Sequence, residues 1–517
     1  MLPFPPRFPA LIRSLCSLLA VWSAHFATAT PGTQESLQTL PRLEVSDRLE
    51  IPPSRLTQRQ ADFFGIYEHH GGRKIGWMSV SRQPSTHDGR PSIRIIHHSE
   101  FLVSVEGHPV RNTTVEEYHF SAAAPHALLG ARCAETLKHF RKSIVLRPKS
   151  LGAWQAEITE GRERRTVTAA KVDLHLSDLL SPALWAADPS RRTGDCFSTA
   201  AFDFQDLTGY AQRHKFLGPS HAPDAAEGWL EFETEDTRDH CRSRFTCDAD
   251  GTVRWALIAG ATERRGEPEA HARSLPQPTD LFADSVVPID LPLGEPNATI
   301  SSIKVRLCGP DVTGIASTAL QKVETAPDGK SAVIAVGRTA GRPVAATAEE
   351  MAVHLKATPL LPIGDPRIQA LARSAIADAR TPLEKVQRLL AKVETFIVND
   401  ATATPLSLFD LLRIRRGDCT EHALLFNALA RASGIPCREV TGYLYLGDQR
   451  RAFGGHAWCE VVLDGHWHAV DPTWNQFDLD AAHIHLASGP ATPRMARFLS
   501  GGLSMERLDL VRIPRRK

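Results

Sequence analysis

An α+β fold is predicted, with antiparallel β-rich segments up to about residue 345 and a mixed helical and stranded core from about residue 364. Three observations carry that prediction: period-two alternation in the first part, two capped amphipathic helices just after Gly364, and a helix followed by a hairpin between residues 418 and 471. The composition is that of a globular protein. Of 517 residues, 42% are hydrophobic and 23% charged, which excludes a disordered or fibrous chain. At roughly 150 residues per domain, the length accommodates about two to four domains. Lys and Arg number 60 against 59 Asp and Glu, and no basic stripe stands out, so no nucleic-acid partner is expected.

The first residues read as an address. Arg7 and Arg13, an apolar stretch at 15–26 and the small-x-small site Ala27-Thr28-Ala29 compose a signal peptide over residues 1–29. The apolar stretch falls short of the roughly 20 residues that span a bilayer; an uncleaved anchor is the alternative. The expectation is an exported protein, periplasmic or extracellular, with no transmembrane helix in the mature chain. Cys16 leaves with the signal, and Cys133, Cys196, Cys241, Cys247, Cys308, Cys419, Cys437 and Cys459 remain. So few thiols in so long a chain are not a disulfide scaffold, and their connectivity does not follow from spacing.

Residues 30–58, polar and Pro-containing, read as a linker. A β-rich N-terminal domain follows over 59–280, and a second β-rich segment over 281–345, with the boundary in the 276–280 stretch. Phe101, Val103 and Val105 alternate with Leu102, Ser104 and Glu106 as in a half-buried strand. Asp250-Gly251 between 243–247 and 252–257 predicts a tight hairpin with positive φ at both central positions. Pro327-Asp328-Gly329 marks a further turn before a strand at 331–336.

The pattern changes at Gly364. Asp365-Pro366 is an N-cap followed by proline at the first helical position, where a missing N–H costs nothing. Ile368, Leu371, Ala372, Ala375 and Ile376 then share a face. Thr381 and Glu384 form a capping box opening a second helix with the stripe Leu383, Val386, Leu389, Leu390, Val393 and Ile397. Asp418 is the N-cap of a third helix, which Gly434 and Pro436 terminate. Cys419 therefore falls in its first turn, where the positive end of the helix dipole lowers a thiol pKa.

Residues 455–463 alternate as a strand, Asp464-Gly465 turns the chain, and 466–470 returns. A two-residue turn puts Leu463 opposite His466, and hence Asp471 opposite Trp458, diagonal to His456 on the same face. A histidine beside an orienting carboxylate, with a cysteine nearby, is triad logic. His422, three residues after Cys419 on one helix, is a rival base, but helical side chains tilt toward the N-terminus and no carboxylate is comparably placed for it.

The runs Gly-Asp-Cys-Thr-Glu-His-Ala at 417–423, Ala-Arg-Ala-Ser-Gly-Ile-Pro-Cys-Arg at 430–438, His456-Ala-Trp-Cys-Glu-Val and Val470-Asp471-Pro472-Thr473 resemble the bacterial transglutaminase-like superfamily. The resemblance covers roughly 365–490. It implies a papain-like core over 364–490, with a C-terminal extension at 491–517, and a triad of Cys419 as nucleophile, His456 as base and Asp471 as its orienter. It also implies a second oxyanion donor upstream of the cysteine, which no motif places; Asn399 is no more than a guess for it. No metal or organic cofactor is required, and the partner would be a protein or peptide substrate, cell-envelope material included.

Other features read more blandly. Trp458 and Trp474 flank the triad and either line a substrate cleft or pack behind it; they are the substrate-binding candidates. Cys437 and Cys459 read as packing residues or a disulfide pair. Gly194-Asp195-Cys196 repeats the Gly-Asp-Cys triplet without the accompanying motifs. The pairs His69-His70, His97-His98, His466/His468 and His483/His485 lack zinc-site spacing and read as solvated. Asn112 and Asn297 head glycosylation sequons. The functional expectation is an exported cysteine-dependent acyl-transfer enzyme acting on carboxamide or peptide bonds through a thioester. The alternative is a non-catalytic module binding peptide or polysaccharide.

Overall fold

The computed structural model describes Leu56 and residues 59–512, apart from short stretches at 70, 106, 150–152, 170–171, 239, 276, 281–285, 295–299, 338–339, 342–343, 404, 490–497 and 499–501. The expected signal peptide, nearly all of the linker and Asn297 lie outside the described residues. Among the described residues, no helix is long and apolar enough to cross a membrane.

The β-rich expectation for the N-terminal region corresponds to a sheet of 15 strands. It is built from two antiparallel meanders. One runs between edge strand Glu163–Ala169 and Gln60–Glu68, which pairs with Thr262–Gly266; the other runs from there to edge strand Cys196–Asp203. Helix α1 (Leu176–Ala186) connects the two edges, and its Leu176 joins Ile95, Ile144 and Phe202 in one apolar core. Period two is evident in the strand Arg90–Val105, where Phe101 and Val103 are buried. The hairpin between Arg242–Cys247 and Val253–Ile258 forms, but by a longer turn than expected. Only Gly251 takes positive φ, and Asp248 Oδ1 accepts the N–H groups of Asp250 and Thr252. Asn112 is 1% exposed inside a strand, so its sequon is no glycosylation acceptor in the folded chain.

The chain crosses out of this sheet near residue 280. Thr279–Asp280 still pairs with Arg90–Val105, whereas Val287–Pro288 already pairs with the sheet that carries His456. A separate four-stranded sheet takes Gln321–Thr325, Ser331–Gly337 and Ile300–Cys308, and its last member is Ser504–Arg512. The second β-rich segment and the C-terminal extension, separate in the sequence reading, are thus one sheet. Backbone hydrogen bonding between Ile300–Cys308 and Ser504–Arg512 unites them.

Helices α2 (Pro366–Ile376) and α3 (Pro382–Phe396) begin where their caps predict. Asp365 Oδ1 accepts the Arg367 N–H at 2.9 Å, and Thr381 Oγ1 accepts the Glu384 N–H at 3.1 Å. Val386, Leu389, Leu390 and Val393 are buried, but Leu383, on the first turn, is 42% exposed. Both helices pack against α4 (Cys419–Ala432), which lies on the sheet of β1 (Cys437–Tyr445), β2 (Ala452–Leu463), β3 (His466–Val470) and β4 (His483–Ser488).

Candidate active site

The N-terminus of α4 is fixed by reciprocal capping. Asp418 Oδ1 accepts the Thr420 N–H at 2.8 Å, while Glu421 Oε2 accepts the Asp418 N–H at 2.9 Å. Nearly all of α4 is buried, and Cys419 in its first turn is only 3% exposed. The hairpin has the expected register: Leu463 faces His466 and Cys459 faces Val470. Asp471, one residue on, is fully buried, and its Oδ2 accepts a 2.7 Å hydrogen bond from His456 Nε2. Its Oδ1 accepts the Thr473 N–H at 2.8 Å. With Nε2 donating to the carboxylate, Nδ1 of His456 is the nitrogen left for proton transfer.

Cys419 joins this pair through the backbone. Its Sγ accepts the N–H of Ala457, the residue after His456, at 3.1 Å. Among the described residues no hydrogen bond links Cys419 to the imidazole itself, and catalytic hydrogen bonds are often long until substrate arrives. The thiol's electrostatics differ from the sequence expectation. Burial pushes the Cys419 thiol well above its usual range and Asp418 adds to this, against the Ala457 N–H. The positive helix end is offset by desolvation and by the acids that cap it, so a thiolate here depends on an imidazolium partner.

His422 is not available as a rival base. It is 1% exposed, burial pushes its pKa down, and its Nδ1 donates at 2.6 Å to the Asp418 carbonyl.

His483 is the residue the sequence reading missed. It is buried on β4, not solvated. Its Nε2 lies 3.3 Å from the same Asp471 Oδ2 that holds His456, and its Nδ1 lies 3.2 Å from Asp480 Oδ1. Burial alone would lower its pKa, but Asp471 and Asp480 outweigh burial and raise it to about 9. Asp471 is in turn held well below the usual carboxylate range: burial opposes ionisation, and His456 and His483 overcome it. His456, Asp471 and His483 present ligand atoms within 4.8 Å of one another, a grouping that could hold a metal. Two carboxylates gripping His483 instead favour an imidazolium, which offers protons and no lone pair. Zinc-like spacing was no guide here, because the cluster spans three separate strands and loops.

The tryptophans divide. Trp474 is half-buried and stacks on His456 with centroids 4.9 Å apart. Trp458 is 2% exposed, packed with Val440 and Leu479 and edge-on to His483, which favours packing behind the imidazole over lining a cleft. Gly442 pairs with His456 across β1 and β2, and a Cβ there would collide with the Trp458 ring and the Ile484 carbonyl. Gly442→Ala is therefore expected to cost about 1–3 kcal/mol of stability by overpacking, readable as a lower denaturation midpoint; an unchanged midpoint would show that Trp458 moves freely.

The remaining candidates lie apart. Asn399 is exposed, and its strand pairs with Arg416–Gly417, just before Cys419. His466 and His468 are exposed as expected, while His485 is buried and bonded to Ser488. Cys437 and Cys459 are buried neighbouring thiols, and all eight described cysteines are free. Cys196 is exposed at the start of the edge strand Cys196–Asp203 of the large sheet.

The sequence profile of the transglutaminase-like superfamily matches residues 369–472, a span that holds Cys419, His456 and Asp471. Residues 369–472 belong to the transglutaminase-like superfamily. Kyphoscoliosis peptidase of Homo sapiens is 32% identical to this chain over 118 residues, and that of Mus musculus 31%. The match spans 18% of each relative's length and 21% of this chain. Among solved structures, a candidate cysteine protease from Cytophaga hutchinsonii is similar at 16% identity with a TM-score of 0.28, covering 42% of this chain and 89% of that one. A candidate protease from Parabacteroides distasonis follows at 11% and 0.18, covering 72% and 68%. Superpositions at these scores add nothing to the assignment. The transglutaminase-like domain thus includes α4 and the β1–β3 hairpin region, and the large N-terminal sheet lies outside the match.

Proposed function

We propose that this protein is a cysteine-dependent acyl-transfer enzyme, with Cys419 as nucleophile, His456 as general acid and base, and Asp471 as the group that orients His456. The observation that carries this reading is the fully buried 2.7 Å bond between His456 and Asp471, with Cys419 Sγ held on the backbone of the next residue. In the reaction, a Cys419 thiolate paired with His456 imidazolium attacks the carbonyl of a peptide bond or glutamine carboxamide. His456 passes its proton to the leaving amine and a thioester forms. The neutral imidazole then takes a proton from water or from an acceptor amine, whose attack releases the acyl group and restores the thiol. The oxyanion would be met by the Cys419 N–H. The papain-like core, a protein or peptide substrate and export to the periplasm or beyond belong to the same reading. Export rests on the charged, apolar and small-x-small pattern of residues 1–29.

A second reading, a non-catalytic module that binds peptide or polysaccharide, is favoured by one observation, the 3% exposure of Cys419. One experiment separates the two. Iodoacetamide labelling of native protein is followed by mass spectrometry against pH, with His456→Ala alongside. In the same series, a denatured-protein substrate is incubated with a labelled primary amine, and peptide release and amine incorporation are scored for the wild type and Cys419→Ala. The catalytic reading expects labelling of Cys419 that His456→Ala slows, and no turnover by Cys419→Ala. A Cys419 that resists labelling in the native state, or a fully active Cys419→Ala, leaves the binding module standing.

A further inference from the structure

The N-terminal sheet and α1 line a partly open cavity of about 180 Å³, remote in sequence from the transglutaminase-like domain. Its walls come from both meanders: Val80, Ile95 and Tyr118 on one side, and Phe202, Phe232 and Phe245 on the other. Leu179, Leu180 and Pro182 of α1 form the roof. Pro182 lies inside α1 and lacks an N–H, so one bond of the helical ladder is missing at the turn over the cavity.

The polar groups on the wall are neutral or already engaged. His214 is held between the Thr199 and Thr234 hydroxyls at 2.8 and 2.9 Å, and burial pushes its pKa down to about 3. His97 is pushed down to about 4, chiefly by burial and then by Arg264. Of the acids, Asp236 pairs with Arg238 at 2.9 Å, and Asp178 accepts the backbone N–H groups of His175 and Ala200. A charged ligand would lose its hydration in this space and find its counter-charges already committed, a heavy cost. Size sets the other limit: an apolar protein cavity of roughly 150 Å³ stays dry and takes up benzene.

We infer that this cavity is a binding site for an uncharged apolar ligand, the size of one aromatic ring or a short alkyl segment with a hydrogen-bonding end. His97, Tyr210 and Gln212 line it and would meet that end. Such a site gives the chain a ligand-binding function in the domain that the superfamily match does not reach.

The test uses the full chain and isothermal titration calorimetry with phenol, an uncharged single ring with a hydrogen-bonding end. Its heat of binding is expected to saturate at one site per chain, and n-octanol is expected to displace it at a concentration at least about tenfold lower than octanoate does. Ala201→Trp, which fills the cavity from a strand facing it, is expected to abolish saturable binding while Cys419 labelling is unchanged. Should that variant fail to fold, Ser243→Leu, a smaller intrusion on the same wall, is expected to weaken binding. Equal binding by the wild type and a folded cavity-filling variant overturns the proposal, as does stronger displacement by octanoate or an absence of saturable binding.

Discussion

Asp471→Asn is expected to slow turnover about 10⁴-fold, the scale seen when the carboxylate of a catalytic triad becomes an amide. The mechanism is the loss of the bond that fixes the proton on His456 Nε2. An amide can donate where the carboxylate only accepted, so the imidazole turns its other tautomer toward the thiol. Labelling of Cys419 near neutral pH should fall in parallel, since burial leaves the thiol protonated unless His456 is charged. Asp480→Asn is the control. It removes the charge of the second carboxylate that holds His483 and leaves the His456–Asp471 bond in place, so Cys419 labelling should remain near the wild-type rate. If Asp471→Asn is labelled as fast as the wild type, Asp471 does not orient the base.

Stability above neutral pH is expected to depend on His483. Its pKa rises from 6.5 to about 9 on folding, because Asp471 and Asp480 outweigh its burial. A raised pKa means that the folded state holds the proton more tightly. The resulting stabilisation is complete below about pH 6.5 and disappears as pH climbs through about 9; a shift of this size corresponds to about 3 kcal/mol. Asp471 acts in the opposite sense: its pKa is depressed, so its contribution is present above the ordinary carboxylate range and is lost on strong acidification. Denaturant midpoints of the domain's unfolding transition should therefore fall between pH 6.5 and 9.5 in the wild type, and His483→Gln should flatten that fall. A His483→Gln curve parallel to the wild type would show that His483 is not protonated in the folded state.

Local chemistry was legible in the sequence, and tertiary proximity was not. Asp365 and Thr381 announce α2 and α3 because capping is a matter of neighbouring residues. Asp464-Gly465 sets the hairpin register, so the diagonal placement of Asp471 and His456 follows from counting. The burial of Cys419 could not be counted, since it depends on elements from α2 to β4 packing around one helix terminus. His483 escaped for a similar reason: it arrives on β4, which lies beside β1 and not beside the β2–β3 hairpin that carries the motif. Trp458 was ambiguous because strand parity gives a face but not what covers it.

The pairing of Ile300–Cys308 with Ser504–Arg512 makes the transglutaminase-like domain an insert between two partners of one small sheet. A chain emerging in order from a ribosome or a translocon cannot close that sheet until the inserted domain has been made. Long-range contacts of this kind slow folding, because loop closure precedes the reward for pairing. Completion of the small sheet is thereby placed after synthesis of the inserted domain, with the inserted helices and hairpin free to pack first and the closing strand acting as a clasp.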